Sequence, residues 1–289
     1  MRRVLLTGVL GLLGVVGTAG TAAVAASGPV AATAAPVLFH VPIIGKHITG
    51  VGSIRAIRTA HGVRYVASTG ATSTNWSGYA DEDTTFQEAV GTWTVPAVNC
   101  AKTGLIGKTT SYAAFWVGLD GYTSSSVEQT GTDSDCVSGT PSYYGWYEMY
   151  PAGSVDLSTS AYPVKVGNQM TATITYTASS STYALVLHND TTGWTNTFSM
   201  VETGLANSSA EWVAEAPSTC IEGVCRPLTL AKFGKVTFTS ATTESGSAVA
   251  QPISNFTNAE ITMTSEGGAT EAAPSALNAA GNGFSVTYG

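Results

Sequence analysis

Histidine is scarce in this chain, charge is thin, and no apolar stretch long enough to span a membrane interrupts the body of the sequence. Of 289 residues, four are histidine (His40, His47, His61 and His188), four are cysteine and 11% carry charge. Hydrolysis needs a proton acceptor matched to the working pH and a donor that stabilises developing negative charge. A Ser-His-Asp arrangement would have to draw on one of these histidines. Three precede the body of the chain, and His188 stands in Leu185-Val-Leu-His188-Asn189-Asp190, a strand running into a turn of Asn and Asp. A cysteine nucleophile is disfavoured too, because four cysteines in an exported chain read as a disulfide set. Carboxylates remain.

Export is written at the N-terminus. Met1-Arg-Arg3 precedes an apolar run from Val4 to Val16, and Ala23-Val-Ala25-Ala26 supplies small residues for cleavage, so residues 1–26 read as a secretory signal peptide. The run is short and rich in Gly and Thr, unlike a membrane span. The expected product is soluble, secreted and extracellular.

Charge is divided unevenly along the chain. Residues 1–80 hold six Lys or Arg and no acid, whereas residues 81–289 hold six basic residues and all nineteen acids, a net of −13. Residues 27–72 therefore read as a basic propeptide that docks on the acidic remainder as an intramolecular inhibitor. It would loosen as carboxylates are protonated and histidines become charged. A disordered Ala-rich spacer is the plainer alternative. Lys46, Arg55, Arg58 and Arg64 are too scattered for a nucleic-acid patch.

Residues 73–289 read as one all-β domain. Alternating or β-branched runs recur at short spacing, among them Ala89–Val95, Ala113–Leu119, Tyr143–Tyr150, Gln169–Thr177, Tyr183–Leu187, Trp194–Val201, Glu211–Glu215, Gly234–Thr239, Glu260–Thr264 and Gly283–Tyr288. His188-Asn-Asp-Thr-Thr-Gly193 supplies a hairpin turn. The expected architecture is a two-sheet antiparallel β-sandwich. Proximity favours the pairs Cys100–Cys136 and Cys220–Cys225, although four cysteines permit three pairings. Cys220 and Cys225 could instead offer two zinc ligands, but no histidine stands near and the compartment is oxidising. No metal or other cofactor is expected.

Strand alternation gathers the polar groups. Glu211, Val213 and Glu215 share one face, and Ala210, Trp212 and Ala214 the other. Val127 and Gln129 share a face, as do Trp116, Gly118 and Asp120, and likewise Trp146, Glu148 and Tyr150. Acids, an amide and large aromatics together suit neither solvent nor a dry core; they suit a cleft.

Seven motifs in register then carry a resemblance. Asn75-Trp-Ser-Gly-Tyr79, Gly91-Thr-Trp-Thr-Val-Pro96, Trp116-Val-Gly-Leu-Asp-Gly121, Glu128-Gln-Thr-Gly131, Trp146-Tyr-Glu-Met-Tyr-Pro151, Ala210-Glu-Trp-Val213 and Phe233-Gly-Lys-Val-Thr-Phe238 resemble the glutamic peptidases, or eqolisins. The likeness fades after about Thr242. It implies a concanavalin A-like sandwich and a secreted, acid-active endopeptidase made as a zymogen, acting on proteins and peptides. It also implies a catalytic Gln and Glu, falling on Gln129 and Glu211. Trp116, Asp120, Asp133 and Glu148 match cleft positions that support the site or contact substrate. Glu211 would take a proton from the attacking water and return it to the leaving amine. Gln129 would hold the oxyanion without titrating. A monomer without nucleic-acid or membrane partners is expected. Two other classes stay open: a glycoside hydrolase using Glu148 and Glu211, and a non-catalytic binding module using the same aromatics.

Overall fold

The computed structural model describes residues 38–40, 50–59, 62–101, 110–222, 224–246 and 249–289. The expected signal peptide, residues 27–37 and two of the N-terminal histidines, His47 and His61, lie outside the described residues. The described residues form no α-helix. In chain order the strands are β1 (Gly50–Thr59), β2 (Gly62–Ser73), β3 (Trp76–Glu82), β4 (Glu88–Thr94), β5 (Ala114–Leu119), β6 (Val127–Val137), β7 (Thr140–Tyr150), β8 (Val155–Asp156), β9 (Gln169–Thr177) and β10 (Thr182–Asn189). They continue with β11 (Thr195–Val201), β12 (Ala210–Glu215), β13 (Ser218–Ile221), β14 (Val224–Pro227), β15 (Lys235–Glu244), β16 (Gln251–Pro252), β17 (Thr257–Thr264), β18 (Thr270–Pro274) and β19 (Phe284–Tyr288).

Pairing runs in two long stretches. One carries β1-β2-β17-β3-β12-β5-β6-β7-β8 side by side, antiparallel throughout except between β2 and β17. The other carries β11-β10-β9-β4-β15-β19-β18, all antiparallel. The end of β17 meets β18 and joins the two.

The stretches pack face to face because each has an apolar inner face. Phe115, Val117, Leu119 and Trp212 from the first meet Met170, Ile174, Leu185, Leu187 and Phe238 from the second in one core. Indole N–H groups cross between them: Trp212 donates to Val90 O at 2.7 Å and Trp93 to Thr132 Oγ1 at 3.0 Å. The outer face of the first stretch carries a second cluster of Trp76, Trp116, Val213 and Trp146. Alternation along Ala210–Glu215 thus divides the strand as expected, with both faces buried.

Two findings extend the sequence reading. Residues after Thr242 complete the fold, since β17 lies between β2 and β3. Residues 62–73 form β2, so the sheet continues across the expected boundary at residue 73.

Close strand approach explains the glycine of Gln129-Thr-Gly131. A Cβ there would lie 2.3 Å from Phe115 O and 2.6 Å from Trp116 Cβ. Gly131→Ala is expected to destabilise the chain by about 1–3 kcal/mol, as overpacked cores do. An unchanged midpoint in urea unfolding would refute this.

Cys100 pairs with Cys136 and Cys220 with Cys225. The first closes a loop of 36 residues and the second one of 5. Loop-closure entropy predicts about 4 kcal/mol lost when Cys100 and Cys136 become serine, against about 2 for the other pair. Urea melts of the two double variants test the order; equal losses would contradict it.

Candidate active site

One row across the outer face joins Glu211 on β12, Gly118 on β5, Gln129 on β6 and Glu148 on β7. Four residues along β12, a second row joins Glu215, Ala114, Asp133 and Tyr144. Between them lie Val213, Trp116, Gly131 and Trp146. Every acid in this array is buried.

A segment from far upstream lies on these rows. Leu38 O accepts from Ser154 N at 3.2 Å and from Ser154 Oγ at 3.0 Å. Phe39 exchanges both backbone hydrogen bonds with Ser218, at 2.9 and 2.8 Å. The His40 backbone N–H donates to Glu148 Oε2 at 3.0 Å, and Gln129 Nε2 donates to the His40 carbonyl oxygen at 2.8 Å. Gln129 Nε2 also donates to Glu148 Oε2, at 2.8 Å. The imidazole stacks on Trp146, with centroids 3.7 Å apart and planes 5° from parallel, and its Nδ1 lies 3.3 Å from Glu215 Oε2.

Glu215 is held from two further sides. Trp116 Nε1 donates to its Oε2 at 2.7 Å and Asn75 Nδ2 to its Oε1 at 3.0 Å. These donors favour the carboxylate, yet burial outweighs them and holds its pKa well above the usual value. Burial likewise pushes Glu148 up to about 8, opposed by the donors from His40 and Gln129. His40 is driven the other way, down to about 3, because burial penalises an imidazolium.

Glu211 sits apart from this set. Its Oε1 accepts from Tyr122 N at 3.4 Å, and Asp120 and Glu128 bear on its charge. Burial raises it well above the ordinary range. The Trp116 ring lies over Gly118, 3.0 Å from where a Cβ would be, in the gap between Glu211 and Gln129.

The other expected site residues divide. Trp116 and Glu148 join the group around His40. Asp133 shares the Tyr144 hydroxyl with Asp135, each at 2.9 Å, and burial keeps Asp133 well above the usual carboxylate value and Asp135 at about 7. Asp120 is a loop anchor: it accepts from Asn207 N at 2.6 Å, Ser208 N at 2.8 Å and Ser124 Oγ at 3.0 Å. It thereby ties the turn after β5 to the entry of β12. His188 bonds Thr195 on the opposite sheet. The sequence reading did not single out Glu215, Asn75 or His40. Alternation already put Glu215 on the face of Glu211, and Asn75 opened one of the seven motifs. His40 gave no local signal. Among the described residues no cluster of His, Cys, Asp and Glu is arranged to hold a metal ion.

Comparison with known proteins agrees with this architecture. Aspergillopepsin-2 of Aspergillus niger is 34% identical over 197 residues, covering 62% of this chain and 67% of its own length. The crystal structure of aspergilloglutamic peptidase from the same organism matches with a TM-score of 0.52 at 30% identity, over 62% of this chain and 99% of that one. Scytalido-glutamic peptidase, solved with a peptide-based transition-state analogue, matches with a TM-score of 0.61 at 24% identity, over 75% of this chain and 98% of that one. The model of the peptidase A4 family matches residues 74–288, well past the point where the motif likeness fades, and the chain belongs to this family of glutamic endopeptidases.

Proposed function

We propose that the protein hydrolyses peptide bonds in acid, with Gln129 as the oxyanion donor and Glu215 as the carboxyl group that activates water. The observation that carries this reading is the double grip on one residue. Gln129 Nε2 lies 2.8 Å from the His40 carbonyl oxygen while Glu215 Oε2 lies 3.3 Å from the same residue's ring. A base and an oxyanion donor must flank one carbonyl. Glu211, the carboxylate indicated by the motif likeness, shares no such partner with Gln129, and the Trp116 ring intervenes.

In the proposed cycle a peptide lies where residues 38–40 lie. Glu148 receives the backbone N–H of the residue that precedes the scissile bond and Gln129 donates to that residue's carbonyl oxygen, as they do with His40. Ionised Glu215 takes a proton from water as the oxygen bonds to carbon. The same proton goes to the leaving nitrogen as the C–N bond breaks. Trp116 and Asn75 steady the carboxylate between the two steps. Freed of the covering segment, Glu215 regains water and its pKa falls toward the acid range in which it must ionise.

The same reading makes residues 27–72 a propeptide whose Leu38–His40 portion closes the cleft, with processing between about residues 67 and 75. It includes secretion, a monomer and a concanavalin A-like sandwich. The two disulfides suit an oxidising compartment. The peptide-based ligand named for the scytalido-glutamic peptidase structure suits a peptide substrate. The test is an acid shift of the purified full chain. Shortening of its N-terminus and cleavage of a denatured protein are expected; cleavage of polysaccharide and not of protein would mean a glycosidase.

A further inference from the structure

The residue that Gln129 grips has its side chain in a built slot. The His40 ring is 1% exposed, and Trp146 beneath it is fully buried. Ring centroids 3.7 Å apart with planes 5° from parallel define a stacking platform on β7. The acids at either end of the slot are Glu148, whose Oε2 takes the His40 N–H, and Glu215, 3.3 Å from Nδ1. The indole of Trp146 is itself fixed, since its strand is paired on both sides, with β6 and with β8.

From this the geometry points to a specificity pocket: Trp146 selects a planar ring, imidazole or phenyl, at the substrate residue whose carbonyl Gln129 holds, the one immediately N-terminal to the cleaved bond. The inference rests on the proposed peptidase mechanism and adds the substrate class. A flat ring offers the indole its whole face at stacking distance, and stacked pairs gain beyond their buried area. Leucine has comparable apolar bulk but no face, so it leaves part of the slot unfilled. Imidazole adds a nitrogen directed at Glu215, which no aliphatic side chain provides. The stack lies against the backbone that Gln129 and Glu148 hold, so ring fit and carbonyl position are set together.

The test uses the full chain carrying His40→Ala, which vacates the slot, and peptides identical except for His, Phe, Leu or Ala at the one position. We expect kcat/KM in acid to favour Phe over Leu by about tenfold, the size of an aromatic stacking gain, with the His peptide approaching Phe as the pH rises toward about 6.5 and its ring loses its charge. Trp146→Phe keeps most of that ratio and Trp146→Leu abolishes it; the ratio, unlike absolute activity, does not follow loss of folded protein. The tripeptides Leu-Phe-His and Leu-Phe-Leu are titrated in parallel by calorimetry near about pH 7, where the free imidazole is mostly neutral, with the His form expected to bind more tightly. Cleavage without ring preference overturns the pocket and leaves the peptidase reading standing. Ring-selective binding without cleavage of any peptide upholds the pocket and overturns the mechanism. Neither cleavage nor ring-selective binding overturns both.

Discussion

Glu215→Gln is expected to lower kcat/KM on a denatured protein by about 10⁴-fold while the fold persists. The substitution conserves shape and keeps one acceptor oxygen, so one of the two donors, Trp116 or Asn75, keeps its bond while the other faces the new amide nitrogen and the cluster is weakened rather than emptied. It removes the one group of this pair able to accept and return a proton, a role worth about 10²–10⁴-fold. Gln129→Ala deletes an oxyanion donor and should cost about 10²–10³-fold, mostly in kcat. The double variant should lose little more than the larger single loss, because both groups serve one step. Glu211→Gln should change activity less than about tenfold, since its partners are the Tyr122 backbone N–H and the Ser209 side chain rather than the residue that Gln129 grips. Circular dichroism and thermal midpoints establish that each variant is folded. If Glu211→Gln is inactive and Glu215→Gln is not, the base is Glu211 and the grip on His40 is misleading.

The second large effect concerns acid. His40 binds in the cleft with its pKa lowered from the ordinary 6.5 to about 3 by burial. The released segment therefore carries more protons than the docked one between those values, and the hold strengthens as pH rises through them. The part of the hold due to His40 is complete above about 6.5 and weakens about tenfold for each pH step of one below that, reaching about 10³-fold near pH 3, whereas Glu148 and Glu215, whose carboxyls take up protons as the segment covers them, act in the opposite sense. Two acids face the residue: Glu215 at the ring and Glu148 at the backbone N–H. Burial raises both, Glu148 to about 8, which lessens the counter-charge they offer an imidazolium. His40→Phe keeps a ring on Trp146 and loses the titration. The full chain should open its cleft progressively below about pH 6.5, read as onset of peptide hydrolysis. The His40→Phe chain should stay closed to lower pH, and His40→Ala should be open throughout. Identical onset in all three would remove His40 from the acid response.

The all-β fold was legible because strands of this chain alternate over short windows, as Gln169–Thr177 and Thr182–Asn189 do in their burial. Strand β6 was harder to read, since Val127–Val137 is rich in Thr, Ser and Asp and is buried on both faces, leaving no period-two contrast. The cleft face was legible for the same reason as the strands: Glu211 and Glu215 stand four apart. Choosing between them was not a local matter. It depends on where the Trp116 ring falls and on a segment 89 residues upstream of Gln129, joined through backbone bonds that carry no sequence signature. Asp120 was marked by its motif, but its loop bonds reach residues 207 and 208, a separation no pattern reports.

The parallel pairing of β2 with β17 bears on what the proposed processing would do to the chain. Asn258–Ile261 has neighbours on both sides only while Ser68–Ala71 stays in place, because β3 covers the opposite side. A cut that sheds β2 turns an interior strand into a rim, with a row of amide and carbonyl groups open to any extended chain. Trimming at that point would thus trade solubility for activity. Aggregation tendency should rise as processing advances, and the detached arm, if retained in solution, should act as its own anti-aggregation peptide.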